Sequence, residues 1–186
     1  MRSFRFARTL TCIFPLATCL FGGGGDSHIT HVPRPAVDRP ATVDPAAAAA
    51  MVSEFRRKSG LGAVTIDPTL AAIAAKHAKA MAAQDKLAHV LPGEVSFAAR
   101  LTAGGYDAAY AAENVGAGYH TLDEAIAGWK ASPPHRANML NRNIDRIGIA
   151  VAYNKASRFK DFWSLVLAKP DERKMAAGPV ASPAAR

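Results

Sequence analysis

The sequence predicts an α+β sandwich in which helices come first and one antiparallel sheet forms late. Three observations carry this. Helical spacing and helix caps run to about residue 140, and strand-type patterning begins at Ile147. No regular strand–helix–strand alternation appears, and there is no internal repeat. The chain has 186 residues, 49% of them hydrophobic and 20% charged, which describes one foldable domain with extra chain rather than a disordered protein.

The elements follow in order. Pro45 leads into Ala46–Ala50 and Met51–Lys58, a run of strong helix formers with proline in its first turn; Gly60 ends it. Asp67 caps a second helix with Pro68 at its first position, and Leu70, Ile73, His77 and Met81 recur on one face. A third helix covers Phe97–Ala103 and closes at Gly104-Gly105. Thr121-Leu122-Asp123-Glu124 is a capping box whose helix runs to about Ala131 and buries Leu122, Ala125, Ile126 and Trp129. Ser132-Pro133-Pro134 stops it, and a short helical turn follows over His135–Leu140. Ile147–Tyr153 reads as a strand, Asn154–Arg158 as a turn, and Phe159–Ala168 as the antiparallel partner.

The ends of the chain read differently. Arg2, Arg5 and Arg8 precede the mostly apolar Leu10–Phe21, with no acid before Asp26, the layout of a signal peptide over residues 1–19. Leu16-Ala17-Thr18-Cys19 also resembles a bacterial lipobox, which would make Cys19 a lipidated tether to a membrane. Residues 20–45, with Gly22–Gly25 and Pro33, Pro35, Pro40 and Pro45, read as a flexible and then semi-extended tether. The folded domain is expected over residues 46–169, and the Ala/Pro-rich 170–186 is expected to be a disordered tail. Both cysteines, Cys12 and Cys19, fall in the export segment, so a domain without disulfides is expected.

The charge narrows the function classes. The chain carries +8, but residues 1–19 hold three arginines and no acid, leaving twenty basic against fifteen acidic residues. Those that remain are scattered, with Arg56-Arg57-Lys58 the only run. A nucleic-acid binder would show a dense basic stripe with interleaved aromatics, so no nucleic acid is expected as partner. No apolar run approaches the ~20 residues of a membrane-spanning helix, which excludes a polytopic membrane protein.

Four histidines lie in the folded part. His77 sits on an apolar helix face and reads as a satisfied core residue, and His120 reads as a loop residue before the Thr121 cap. His89 and His135 lie at element edges where side chains converge. Glu113, in Ala112-Glu113-Asn114-Val115-Gly116, is a carboxylate among small and apolar residues, costly to bury without a partner. Two imidazoles would supply one, and His89, Glu113 and His135 would also suffice as ligands for Zn2+ or Mg2+ with open positions. The spacings between them match no compact metal motif.

From Leu61 to Lys169 the sequence resembles bacterial members of the CAP superfamily (cysteine-rich secretory proteins, antigen 5, pathogenesis-related proteins). The resemblance rests on an ordered set of pieces. These are Ala74–Ala78 with Met81-Ala82, Leu87-Ala88-His89, Arg100-Leu101 with Gly105-Tyr106, and Ala112–Val115. Trp129–Leu140 and Ile147–Ala150 complete the set. The resemblance implies a three-layer α-β-α sandwich with a central antiparallel sheet. It also implies a groove carrying two histidines and two glutamates. His89, Glu113 and His135 match three of these positions, with Asn114, Trp129, Arg136 and Asn138 as supporting motif residues. Ser132 stands where the family's second glutamate falls, so a divalent ion would be held less tightly.

Three functions compete on these residues. One is an exported, monomeric binding module whose groove takes a divalent cation or a small apolar or envelope ligand. Another is a hydrolase, using either a zinc-bound water or Ser132 with His135 and Glu113, although no Gly-x-Ser-x-Gly elbow is present. The third is a tethered envelope protein acting through surface contacts, its groove vestigial. The expected location is the periplasm or cell envelope, or the exterior, and no catalytic residue is assigned.

Overall fold

The computed structural model describes residues 30–31 and 39–176; the expected signal peptide with Cys19 and the last ten residues lie outside the described residues. Helices α1 (Pro45–Arg57), α2 (Pro68–Gln84), α3 (Phe97–Ala103), α4 (Leu122–Ala131), α5 (Pro133–Met139) and α6 (Glu172–Ala176) surround one five-stranded sheet. Its strands are β1 (Thr30–His31), β2 (Thr65–Ile66), β3 (Ala108–Ala117), β4 (Arg146–Tyr153) and β5 (Asp161–Pro170), in the order β1-β3-β5-β4-β2. The three long strands are antiparallel, as expected. The two-residue strands at the edges pair in parallel, so the whole sheet is mixed.

Side-chain alternation along the strands splits the interior into two layers. Ile147, Ile149, Trp163, Leu165 and Leu167 face one way and pack with Ala48 and Val52 of α1, Ile126 and Trp129 of α4, and Met139 of α5. Ala150, Val166 and Ala168 face the other way, against Leu70, Ile73 and Ala74 of α2 and Leu101 of α3. This is the α-β-α sandwich. The second face is unusually close: a Cβ on Gly148 of β4 would meet the α2 backbone at Leu70 and Ala71 at 2.1 Å, so only glycine lets the helix sit there.

Local sequence explains most boundaries. Asp67 caps α2 through bonds from the Thr69 and Leu70 amides, and Thr121 caps α4 through Glu124 N. Four differences have physical reasons. Pro133 and Pro134 open α5 as well as ending α4, because proline suits the first helical turn. Phe159 and Lys160 belong to the β4–β5 turn, where Lys160 has φ +64°, so β5 starts at Asp161. β5 runs to Pro170, and α6 follows it where irregular chain was expected. Before α1, Ala41 and Val43 pack on the core and the Ala41 amide donates to Asp161, so the residues just ahead of α1, expected to belong to a tether, are seated on the domain.

The long strand β3 has no counterpart in the sequence reading, and neither do the two-residue strands β1 and β2. β3 is rich in alanine and carries Glu113, Asn114 and Gly116, residues of low strand propensity. Pairing with β5 along its length imposes the strand.

Candidate functional site

The site is built on β3, where Glu113 and Asn114 are consecutive and therefore point to opposite faces of the sheet. Glu113 faces α2 and α3, and its side chain is 2% exposed. Four donors converge on its two oxygens. Arg100 of α3 forms a bidentate pair, Nη1 to Oε1 at 2.9 Å and Nη2 to Oε2 at 3.0 Å. His89 Nδ1 donates to Oε2 at 3.1 Å, and Ser164 Oγ of β5 to Oε1 at 3.4 Å.

This network also holds the loop between α2 and α3. Arg100 Nη2 donates to the His89 carbonyl at 2.8 Å, and the His77 Nε2 donates to the Ala88 carbonyl at 3.0 Å. With its proton on Nε2, His77 presents a bare Nδ1 toward Glu94 Oε2, 3.2 Å away but without a hydrogen bond. The ring is fully buried, and burial pushes its pKa below 6.5 against the opposing pull of Glu113 and Glu94. For Glu113 burial is the largest single influence and acts upward. The bonds from His89 and Arg100 and the nearby positive charge outweigh it and hold the carboxyl below its usual 4.5.

Asn114 faces the other helices. Its Nδ2 donates to the His135 carbonyl at 3.1 Å, and Asn138 Nδ2 donates back to Asn114 Oδ1 at 2.9 Å. Trp129 Nε1 donates to the Val115 carbonyl at 3.2 Å, and the Arg136 guanidinium lies over the Phe55 ring. These motif residues dock α4 and α5 onto β3 and α1. Ser132 joins α4 to α5 and makes no side-chain capping bond.

The structure therefore brings His89 to Glu113 and sets α5, which carries His135, on the opposite face of the sheet. Among the described residues no group of three or more His, Cys, Asp or Glu side chains is arranged to hold a metal ion. The donor chemistry agrees with that. A carboxylate has about four lone-pair sites; here four donors fill them, and two belong to a guanidinium whose charge would repel a cation. Zn2+ or Mg2+ does not fit this set as it stands.

Arg100, His77 and Glu94 were not named as site residues from the sequence. Glu113 did demand a charged partner, and a bidentate carboxylate partner is the role arginine fills best. That demand, applied to every buried-side cation, would have reached Arg100.

Beside this cluster a cleft of about 220 Å3 opens between α2 and α3. Its walls are Thr69, Ala72, Ile73, Val95, Ala103 and Gly104, with the cations Lys76 and Arg100 among them. Arg100 is 8% exposed, and its Nε is buried with no hydrogen-bond partner. At Gly104 a Cβ would press to 2.6 Å on Ile73, so glycine keeps α3 close to α2 at this wall.

A sheet sandwiched between two helical layers, with a Glu-Asn pair on its outer long strand, defines the architecture of a secretory-type α-β-α domain. Residues 49–167 match the model of the Cysteine-rich secretory protein family, and the chain belongs to that CAP family. A curated relative, the uncharacterized protein YkwD of Bacillus subtilis (strain 168), is 32% identical over 94 residues. That match covers 50% of this chain and 37% of the relative, so the chain spans well under half of that protein. An outer surface protein from Borrelia burgdorferi shares the fold at a TM-score of 0.59 with 22% identity, over 71% of this chain and 99% of that one. An extracellular protein containing a SCP domain from Bacillus anthracis also matches at 0.59 and 22%, over 67% of this chain and 39% of its own.

Proposed function

We propose that the chain is an exported binding module that takes a small apolar molecule bearing an anionic group in the α2–α3 cleft. The observation that carries this is the pair of cations, Lys76 and the largely buried Arg100, set in an otherwise apolar cleft wall. An anionic group would meet these two charges while the apolar part of the ligand covers the rest of the lining. The cleft is smaller than a drug-sized pocket, which suits a small ligand or one end of a longer one. Glu113 then serves to hold Arg100 and the His89 loop, not to hold a metal. Export is supported by the basic-then-apolar start of the chain and by relatives described as outer-surface and extracellular proteins. Among the described residues no helix is long and apolar enough to cross a membrane.

Calorimetric titration with decanoate, with decanol as the uncharged control, tests this reading. One-to-one binding of decanoate is expected, at least tenfold weaker in Ala72→Trp, which fills the cleft from an exposed position. Equal affinity in that variant, or equal affinity for decanol, would contradict it.

A further inference from the structure

The charge of the described domain is concentrated at one end. Six cations lie on the second half of α2, just after it, or on the β4–β5 turn: Lys76, Lys79, Lys86, Lys155, Arg158 and Lys160. The exposed acid among them is Asp85. Asp161 follows Lys160 but is fully buried and turned inward to His120 and the Ala41 amide. The other charged residues of 39–176 number twelve basic and twelve acidic, Asp161 included, so this end holds the domain's whole excess of +5.

The two segments form one surface. Asn154 Nδ2 at the turn donates to the Ala82 carbonyl of α2 at 2.7 Å, and Phe159 packs on the cluster that includes Met81, Ala82 and Phe162. Lys79 and Lys155 line the same shallow depression of about 430 Å3, together with Tyr153 and Asn154. Lys160 Nζ donates to the Lys155 carbonyl, which fixes the turn, and Arg158 lies over the Phe159 ring. Among the described residues none of the six cations is in an ion pair.

We propose that this face docks on an anionic phospholipid bilayer. Five of the six cations are lysines, mobile point charges spread over two elements, with no arginine fork or cluster of amides that would build a pocket for one phosphate. Such an array matches a continuous sheet of negative headgroups, where each basic residue near the surface contributes about a fivefold gain in affinity. The Tyr153 and Phe159 rings between the cations suit the headgroup boundary. Lys76 also borders the α2–α3 cleft, but the other five cations do not, so the proposal does not depend on the cleft reading.

The test is co-sedimentation of the full chain with vesicles of phosphatidylcholine alone or with added phosphatidylglycerol, at low and high salt. Uncharged vesicles give the salt-insensitive background of the apolar N-terminal segment. Binding above that background is expected only with phosphatidylglycerol, lost at high salt, and about 25-fold weaker in Lys79→Gln/Lys155→Gln. Arg57→Gln/Lys58→Gln, on exposed positions of the opposite layer, should bind as the parent does. Equal binding to both vesicles, or no change in the Lys79/Lys155 variant, would overturn the proposal. So would retention by soluble polyphosphate without vesicle binding, which would assign the face to a polyanion instead.

Discussion

Each helical layer of this sandwich buries one arginine, and the two are satisfied in different ways. Arg56 of α1 is 2% exposed and donates only to backbone carbonyls, those of Gly62, Met139, Asn141 and Ile144 at 2.7–3.0 Å. It ties the α1–β2 connection to the segment between α5 and β4. Arg100 in the other layer meets a carboxylate, a histidine loop and a cleft, and keeps one nitrogen unused. A cation whose donors all meet backbone is a staple, with nothing left to titrate or exchange. A cation paired with titratable groups at the wall of a cavity can respond to a ligand or to pH. The difference is the reason the proposed function is placed on the α2–α3 side.

The largest effect expected from this comparison is at the staple. Arg56→Ala orphans several carbonyls at once and should lower stability by roughly 4 kcal/mol in urea unfolding. A loss below about 1 kcal/mol would mean that water reaches these carbonyls.

On the functional side, Glu113→Ala leaves the Arg100 charge buried and unpaired, at a cost of roughly 3 kcal/mol. The double variant Arg100→Met/Glu113→Leu should recover most of that stability, because removing both charges removes the burden of each. It should nevertheless lose decanoate binding. A staple would show no such rescue, so an unrescued double variant would erase the contrast between the two arginines.

Acid should act on the same layer. His77 is held below 6.5, so the unfolded chain binds its proton first, and stability falls as pH drops through about 6.5 toward the folded value. Glu113, held below 4.5, adds stability that persists above that value and disappears as pH falls through its lower folded pKa. Both act in one direction: Tm should decline from pH 7.5 to 5, and His77→Gln should flatten the upper part of that decline. At the small end, Glu54→Ala removes exposed pairs with Arg57 and Lys58 and should leave Tm unchanged.

The sequence made the helices legible because their signals are local. Asp67-Pro68, the Thr121 capping box and Gly104-Gly105 each specify a helix end within a few residues. β3 was not legible, since its alanines acquire strand geometry only by pairing with β5. The candidate site divides along the same line. Glu113 stood out because an isolated carboxylate in an apolar segment needs a partner. Its partner lay thirteen positions back on a separate helix, and only the packing of α3 on α2 brings Arg100 there. Strand alternation divides the expected trio: Glu113 meets His89 on one face of the sheet, and Asn114 on the other bonds the His135 carbonyl of α5.

The central claim is that Arg100 and its companions consume Glu113 and so leave it no capacity for a metal. Calorimetric titration of the parent protein with Zn2+ at pH 7.5, alongside Glu113→Gln, tests it most directly. No saturable one-to-one uptake is expected of the parent, and the variant should give the same trace. A one-to-one isotherm in the parent that disappears in Glu113→Gln would contradict it.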